Sequence, residues 1–283
     1  MACRVGRACE LEYASCVARD IIAPKIAEGG HEVRVVNSPT PEDANRHIAE
    51  FKPDVVWWVG HGSQGATSLE RVKIWISDKQ CPHNYGDKNK EVLKGKIANA
   101  LSCHTAACLG LRQTEGGVRY WLGYKKPFWF IWCYCPQTWG CACGRYNPNP
   151  KVRDEVNRQV MICMHDANLF FCVGLAKGFT PEQAHGYSLM RFDKWIEHFE
   201  QFEPQTPEEA SIVAMAVRVL KMDRPVQVLE SGGREVEAET PPEEPPEPPE
   251  LPPIKPPTPT LRPLPLLVGA VGAGMMLPAL VRR

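Results

Sequence analysis

The sequence predicts an α/β fold, a three-layer sandwich in which a mostly parallel central sheet is flanked by helices. Strand-like and helix-like segments alternate over the first 60 residues, which is the order of βαβ units in a parallel sheet. The run Val55–Val59 is continuously apolar, as expected of a strand buried on both faces, and a second strand-like run ends at Cys103. With 283 residues, of which 43% are hydrophobic, the chain can form one large domain with appendages.

Helix-capping residues separate the first elements. Gly29-Gly30 occupies the C-cap position of a helix predicted over about residues 11–28. Thr40-Pro41 opens the next helix, because threonine is a good N-cap, proline suits the first helical position, and acids follow in the first turn. The strands predicted in this part are residues 3–9, residues 31–38 and the run that ends at His61.

The middle of the chain continues the pattern. Residues 71–78 are predicted to form a strand, for which a hairpin is one option, and the polar stretch 79–90 is predicted to form a surface loop. Residues 95–103 are predicted to form a buried strand that leads directly into a helix. Residues 117–135 are rich in aromatics and predict one or two further strands.

From Lys151 the pattern becomes helical. Thr180-Pro181-Glu182-Gln183 and Thr206-Pro207-Glu208-Glu209 both have the form of a capping box. The first predicts a helix with an apolar face suited to core packing. The apolar face of that helix consists of Phe192, Trp195, Ile196 and Phe199. Residues 224–230 predict an edge strand.

The composition changes near Ser231, which predicts three regions. Residues 1–232 form the folded domain, and residues 233–263 form a Pro/Glu-rich linker of extended polyproline type. Residues 264–283 form a C-terminal hydrophobic segment, predicted to be transmembrane, in which 18 apolar residues precede two arginines. The N-terminus carries acids and no apolar core of a signal peptide, so we expect a tail-anchored protein with its domain in the cytoplasm.

Charge and cysteine content restrict the possible partners. The 33 lysines and arginines balance 33 aspartates and glutamates, and no basic stripe is visible, so nucleic acid is not an expected partner. Twelve cysteines in a cytoplasmic chain are expected to be free, metal-bound or catalytic rather than disulfide-bonded.

His61 and Cys103 are the main candidate for catalytic chemistry. Each ends an apolar strand, and the carboxyl ends of parallel strands are where α/β folds bind ligands. A cysteine thiolate is a strong nucleophile when a nearby imidazole lowers its pKa or protonates the leaving group. The backbone N–H groups of Gly62 and Cys103 could form an oxyanion hole, since glycine leaves its amide unshielded.

The segments "VWWVGHGS" and "ALSCHTAA" resemble the caspase-like cysteine peptidases, a group that includes caspases, gingipains, clostripain, legumain and CHAT domains. The shared pattern is an apolar strand, His-Gly, a spacer, a second apolar strand, a small residue and Cys. The gingipain and CHAT versions are more similar than the caspase version, because Ser102 stands where caspases have Gln-Ala. The resemblance implies a caspase-like fold over most of the first 230 residues and a peptide or protein substrate. It also implies hydrolysis by His61 and Cys103 without a cofactor.

The same stretch also matches a dinucleotide-binding pattern, G-x-G-x-x-G, at residues 60–65. That site needs a helix directly after the last glycine, and only six residues separate Gly65 from the next predicted strand. A parallel crossover needs about a dozen residues. The spacing therefore disfavours a dinucleotide site.

A second candidate site is the loop with two C-x-C pairs. Four thiolates could hold a structural Zn²⁺ ion, although the spacing differs from the usual C-x₂₋₄-C, and two disulfides or free thiols remain alternatives. The cysteines are Cys133, Cys135, Cys141 and Cys143.

Substrate preference is only weakly indicated. Acids near strand ends, at Glu10, Glu12 and Asp78, could line a pocket for a basic residue before the scissile bond, or lie on a solvated surface. Two functions other than peptide hydrolysis remain open. One is a catalytically inactive caspase-like scaffold or adaptor held at a membrane, and the other is a metal-binding module built on the C-x-C loop.

Overall fold

Three apolar segments of the chain form neighbouring parallel strands at the centre of one sheet. The structure is a computed structural model that describes residues 21–36, 39–69, 73–129 and 151–248. The strands are β1 (Val55–Val59), β2 (Ala66–Leu69), β3 (Lys73–Ser77), β4 (Ile97–Leu101), β5 (Tyr120–Tyr124), β6 (Gln227–Ser231) and β7 (Arg234–Val236).

The main sheet has the strand order β1-β4-β5-β6-β7. Strands β1, β4 and β5 pair in parallel, β6 pairs antiparallel with β5, and β7 pairs antiparallel with β6. Within the described residues, four of its five strands therefore run in one direction. Strands β2 and β3 form a separate antiparallel hairpin.

Helices cover both faces of the main sheet. They are α1 (Ala23–Glu28), α2 (Pro41–Phe51), α3 (Leu109–Glu115), α4 (Asp154–Ala176), α5 (Pro181–Glu200) and α6 (Pro207–Asp223), and a 3₁₀ turn covers Arg224–Val226. Leu101 of β4 belongs to the core formed with α4, α5 and α6. Ala98 and Ala100 belong to a core with α2 and α3 on the other face. This arrangement is compatible with the predicted three-layer α/β sandwich.

The three predicted N-caps form, but only one of the two predicted capping boxes is complete. The Thr40 side chain accepts the Asp43 N–H at 3.1 Å, and the Asp43 carboxylate accepts the Thr40 N–H in return. Thr180 and Gln183 make the equivalent pair at the start of α5, whose predicted apolar face is buried. At α6, Thr206 caps the helix alone. The Glu209 carboxylate instead binds Arg153, which lowers its pKa to about 2.

Two strand predictions need correction. Residues 31–36, predicted as a strand, contain no strand in the structure. The segment at 224–230, predicted as an edge strand, yields β6, which lies between β5 and β7. A Gly232-Gly233 turn returns the chain to add β7, and both glycines have positive φ values, 57° and 74°. The predicted strand at residues 3–9 lies outside the described residues.

The predicted domain boundary at residue 232 falls inside the β6–β7 turn, so the fold continues beyond it. Residues 239–248 cross helix α5, where the Glu239 N–H donates to Glu182 O at 3.1 Å. Gly186 permits this crossing, because a Cβ atom there would lie 1.9 Å from the Glu239 carbonyl oxygen. Proline-rich composition favours an extended chain but does not prevent that chain from packing on a folded surface.

Glutamates of this crossing segment pair with cations on α5 and just after α4. The Lys177 ammonium binds Glu243, and Lys194 binds Glu247 at 2.8 Å. Arg191 is fully buried, pairs with Asp166 at 2.6 Å, and also donates to the Pro246 carbonyl.

One helix among the described residues is long and apolar enough to cross a membrane. It covers Glu155–Ala176 within α4, and 83% of its apolar window is buried inside the protein. Its apolar character is accounted for by packing, since α4 contributes much of the core on its face of the sheet. The predicted membrane segment, residues 264–283, lies outside the described residues.

Candidate active site

The structure brings the two predicted strand ends together. Strands β1 and β4 pair in parallel with Val59 opposite Leu101. His61 and Cys103 each lie two residues beyond this pair, at the same edge of the sheet. The Gly60 N–H extends the pairing by donating to Leu101 O at 3.3 Å. The neighbouring placement on which the sequence argument depended is thus present.

Gly62 lies directly against the backbone of the cysteine. A Cβ atom at Gly62 would be 2.2 Å from the Cys103 carbonyl oxygen and 2.9 Å from the Cβ atom of Ser102. Gly60 is equally crowded, since a Cβ atom there would be 1.8 Å from the Ser68 carbonyl oxygen. Glycine is therefore required at both positions for close backbone approach.

Strand β2 holds the backbone of His61. The Ser68 N–H donates to His61 O at 2.8 Å, and the His61 N–H donates to Ser68 Oγ at 3.1 Å. The His61 side chain is exposed, and its imidazole makes no hydrogen bond within the described part of the chain. The backbone of this residue is fixed, whereas its ring is free to turn toward a ligand.

The Cys103 thiol is half-buried and is held by the backbone of Phe128. The Phe128 N–H donates to Cys103 Sγ at 3.4 Å, and Sγ lies 3.9 Å from Phe128 O. Burial raises the pKa of the thiol above its usual value, the Phe128 amide opposes that effect, and the negative charge of Asp223 adds to it. The resting cysteine is consequently a neutral thiol that needs a base before it can react as a thiolate.

The chain turns sharply after Cys103. His104 has φ = 59°, in the left-handed region, and its N–H donates to Lys126 O at 3.2 Å. Histidine is among the residues that adopt this conformation more readily. The turn leads into α3 through Thr105, whose hydroxyl donates to Ser102 O at 3.1 Å. It places Cys103 in the turn that connects β4 to α3.

Both backbone amides predicted to stabilise an oxyanion remain available. Neither the Gly62 N–H nor the Cys103 N–H donates a hydrogen bond to another residue among those described. Gly62 forms a bridge with Thr67, in which Ser63 N–H and Ser68 N–H supply the hydrogen bonds on either side. The Gly62 amide is thus left out of the β2 pairing.

A buried network of side-chain hydrogen bonds connects the strands at this edge of the sheet. The Trp58 indole N–H donates to Thr67 Oγ1 at 3.0 Å, and the Thr67 hydroxyl lies 3.1 Å from Ser102 Oγ. All three residues are buried, so these bonds are shielded from water. They join β1, β2 and the residue before Cys103 into one rigid support.

A disulfide bond links the two sides of the site. Cys81 follows β3, in the loop that packs on Gly65, and Cys108 is the N-cap of α3, five residues after Cys103. The expectation that the cysteines are not disulfide-bonded is therefore wrong for this pair, because the fold brings residues 27 positions apart into bonding distance. The other described cysteines, Cys103, Cys163 and Cys172, are free.

The structure also describes two other predicted features, Asp78 and the glycine-rich motif at residues 60–65. Asp78 is buried, accepts the Gln80 N–H at 2.8 Å and pairs with Lys90 at 3.1 Å. Its carboxylate therefore stabilises the loop after β3, and its predicted role in a substrate pocket stays a prediction. Residues 60–65 lead into the β2–β3 hairpin and not into a helix, which agrees with the spacing argument against a dinucleotide site.

Other predicted positions are not described by the structure. Within the described ranges, no group of three or more His, Cys, Asp or Glu side chains could hold a metal ion. The two pocket acids and the four C-x-C cysteines lie outside those ranges. They are Glu10, Glu12, Cys133, Cys135, Cys141 and Cys143.

Sequence reasoning missed Phe128 and Asp223, which control the surroundings of the cysteine. Phe128 belongs to an aromatic stretch that gives no signal for a backbone contact with sulfur 25 residues away. Asp223 ends helix α6, where a carboxylate is usually solvated, but here it is fully buried.

No family model, curated protein or solved structure matches this chain.

Proposed function

We propose that the protein is a cysteine endopeptidase with a caspase-like fold that uses Cys103 as nucleophile and His61 as acid–base group. The observation that carries this proposal is the juxtaposition of the two strand ends, with Gly62 packed on the Cys103 backbone. Two available amides at the same edge and the motif resemblance support it. No cofactor is required for this chemistry.

The proposed reaction proceeds through an acyl-enzyme. His61 takes the proton from the Cys103 thiol, and the sulfur attacks the carbonyl carbon of the peptide. The oxyanion accepts hydrogen bonds from the Gly62 and Cys103 amides. His61 then gives its proton to the departing amine, and the C–N bond breaks. Water, deprotonated by His61, attacks the thioester, releases the carboxylic acid and restores the thiol.

The burial of Cys103 determines how the thiol would be activated. Because burial raises its pKa, the thiol holds its proton until His61 removes it. Proton transfer is then coupled to the approach of a peptide that orients the exposed imidazole. The reaction is expected to depend on both residues rather than on a permanently ionised thiolate.

The test uses a peptide that carries an electrophilic acyloxymethyl ketone, together with a fluorogenic peptide panel. We expect labelling of the wild-type chain, loss of labelling in Cys103→Ala, and a fall in hydrolysis of about 10³-fold or more in either Cys103→Ala or His61→Ala. Cys172→Ala is the matched control, because Cys172 is also a free cysteine but is almost fully buried. Labelling that persists in Cys103→Ala would contradict the proposal.

An inactive scaffold or adaptor is a second candidate, and one observation favours it. The resting Cys103 thiol is neutral and already hydrogen-bonded to Phe128, as a structural cysteine would be. In that case the electrophilic probe leaves Cys103 unmodified under the conditions in which the chain is folded. The same experiment therefore separates the two functions.

The C-terminal tail and the C-x-C loop complete the proposal. The apolar tail would hold the domain at a membrane. The test compares co-sedimentation with vesicles of the full chain and of a chain lacking residues 264–283.

Zinc in the C-x-C loop would be structural, and metal analysis of the purified chain tests it. The Cys81–Cys108 disulfide weighs against the predicted cytoplasmic location of the folded domain, because disulfides persist mainly in oxidising compartments.

A further inference from the structure

Asp223 is a buried carboxyl group at the end of α6, close to the candidate nucleophile. Its side chain has no exposed surface. One oxygen, Oδ1, accepts the Trp129 N–H at 2.9 Å. The other oxygen, Oδ2, is buried and makes no hydrogen bond within the described part of the chain. A buried carboxyl with one unused oxygen is costly, so its retention calls for an explanation.

The single hydrogen bond of Asp223 leads directly to the thiol. Trp129 follows Phe128, whose own N–H donates to Cys103 Sγ at 3.4 Å. Two successive backbone amides are therefore held, one by the sulfur and the other by the carboxyl group. If the carboxyl released the Trp129 amide, the Phe128 amide would lose its anchor.

Asp223 also acts on the thiol by charge. Its negative charge raises the pKa of Cys103, which places the two groups within electrostatic reach. The titratable groups that face this carboxyl are Cys103 after β4, Tyr124 on β5 and Cys163 on α4, with His165 of α4 beside the Phe128 ring. Burial keeps the last of these neutral, since it lowers the pKa of His165 to about 4.

Cations near Asp223 on its own element are already paired. Lys221 binds Glu200 at 2.6 Å, and Arg224 binds Asp193 at 2.6 Å. No cation is among the groups that influence the Asp223 carboxyl, whose pKa burial raises to about 8. The group is consequently mostly protonated at neutral pH and becomes charged in mildly alkaline solution.

We propose that Asp223 is a positioning residue for Cys103, which anchors the Phe128–Trp129 backbone on the sulfur and, when charged, opposes formation of the thiolate. The catalytic consequence rests on the proposed peptidase function, but the coupling itself does not. The site would then have a built-in alkaline limit. Raising the pH favours thiol ionisation, while the charge that appears on Asp223 works against it.

The test follows thiol ionisation directly, through the ultraviolet absorbance of the thiolate. Each variant is compared with the same variant carrying Cys103→Ala, so that the difference reports Cys103 alone. In Asp223→Asn the amide oxygen still accepts the Trp129 N–H but carries no charge. We expect the ionisation midpoint of Cys103 to fall by about half a pKa unit, which is about a threefold change in the equilibrium.

Asp223→Ala removes both the charge and the acceptor. Because the Phe128 amide then loses its anchor and stabilises the thiolate less, we expect a midpoint above that of Asp223→Asn. Glu230→Gln is the matched control. Glu230 is another fully buried carboxyl, whose pKa burial raises to about 9, and it lies on β6 beside Gly110 and Trp121. Its replacement should leave the Cys103 midpoint unchanged.

The outcomes separate this inference from the proposed function. Superimposable titrations for wild type, Asp223→Asn and Asp223→Ala would overturn the coupling, whether or not the chain cleaves peptides. Expected shifts in a chain that hydrolyses no peptide would remove the peptidase proposal and leave the coupling in place. If Asp223→Ala does not fold, the Asp223→Asn titration alone decides the charge effect.

Discussion

The two sides of the candidate site are built differently. On one side, His61 is exposed, its backbone is fixed by β2, and its ring has no hydrogen bond among the described residues. On the other side, Cys103 is half-buried, its sulfur is held by Phe128, and a buried carboxyl lies behind that contact. Gly62, which packs on the Cys103 backbone, and one disulfide join these sides.

This difference indicates which group must be positioned during a reaction. The cysteine side is preorganised, because the direction of its sulfur and its protonation are set by buried neighbours. The histidine side supplies a fixed backbone and an exposed ring that has no hydrogen bond among the described residues. A bound peptide would therefore change the position of the imidazole more than that of the thiol. The contact of Gly62 with the Cys103 backbone forms the junction between the two sides, and the Cys81–Cys108 bond forms a covalent tie between them.

Gly62→Ala should have the largest effect, because it breaks the junction between the two sides. The added Cβ atom would lie 2.2 Å from the Cys103 carbonyl oxygen, so one backbone must move. We expect about 3 kcal/mol of lost stability and about 100-fold slower hydrolysis or probe labelling. Urea unfolding and labelling kinetics measure the two effects.

Gly116→Ala is the control for that substitution. Gly116 has φ = −76°, which any residue adopts, and an added Cβ atom would meet its nearest neighbour at 3.3 Å. We expect less than about 1 kcal/mol of change in stability and unaltered labelling. If Gly62→Ala behaved like Gly116→Ala, close approach at the junction would not be the reason for glycine there.

Removing the disulfide should have an intermediate effect by loosening the tie between the sides. We expect Cys81→Ser with Cys108→Ser to lower the free energy of unfolding by about 2–4 kcal/mol, because the unfolded chain loses a cross-link. Peptide hydrolysis should fall as well, since the bond joins the loop that packs beside the His61 strand to the turn after Cys103.

A reductant supplies the check on that prediction. It should lower the unfolding temperature of the wild-type chain and leave the double serine variant unchanged. Equal sensitivity of both chains to reductant would show that the bond does not stabilise the fold.

The smallest effect is expected from a single substitution on the buried side, Asp223→Asn, which should change the pH dependence of stability. Burial raises the pKa of Asp223 to about 8 and that of Glu230 to about 9. Between about pH 6.5 and 8, the unfolded chain has lost these protons while the folded chain retains them. Because the folded state binds more protons, its stability falls as the pH rises, by up to about 1.4 kcal/mol per pH unit for each carboxyl.

Two buried histidines act in the opposite sense at the lower end of that range. Burial lowers the pKa of His165 and His185 to about 4, so both are neutral in the folded state, whereas in the unfolded chain they are half protonated at about pH 6.5 and neutral only above about pH 7.5. Both histidines are present in wild type and in Asp223→Asn, so the difference between the two chains reports the carboxyl. Asp223→Asn should therefore flatten the dependence measured by urea unfolding at several pH values. A slope equal to that of wild type would show that Asp223 does not titrate in this range.

The sequence was sufficient for those parts of the fold that follow from local patterns. Strand-like runs predicted β1 and β4, and the Thr-Pro caps predicted α2, α5 and α6. The sequence was insufficient where partners are distant in the chain. The strand predicted at residues 31–38 has a suitable pattern, but its described residues, 31–36, form no strand.

The candidate site shows the same division. His61 and Cys103 could be found because each ends a recognisable strand. Gly62 was predicted to be important for its unshielded amide, whereas the structure adds a steric reason, its contact with the Cys103 backbone. Phe128, Asp223 and the partner of Cys81 depend on the folded arrangement, and no local pattern indicates them.

The segment that crosses α5 has a practical consequence for isolating the domain. A fragment ending at residue 232 would delete β7 and expose the face of α5 around Gly186. It would also strip Lys177 and Lys194 of their glutamate partners and leave Arg191 without its carbonyl contact. Such a fragment would present a cationic, partly apolar face prone to self-association, so a soluble fragment should extend at least to Pro248.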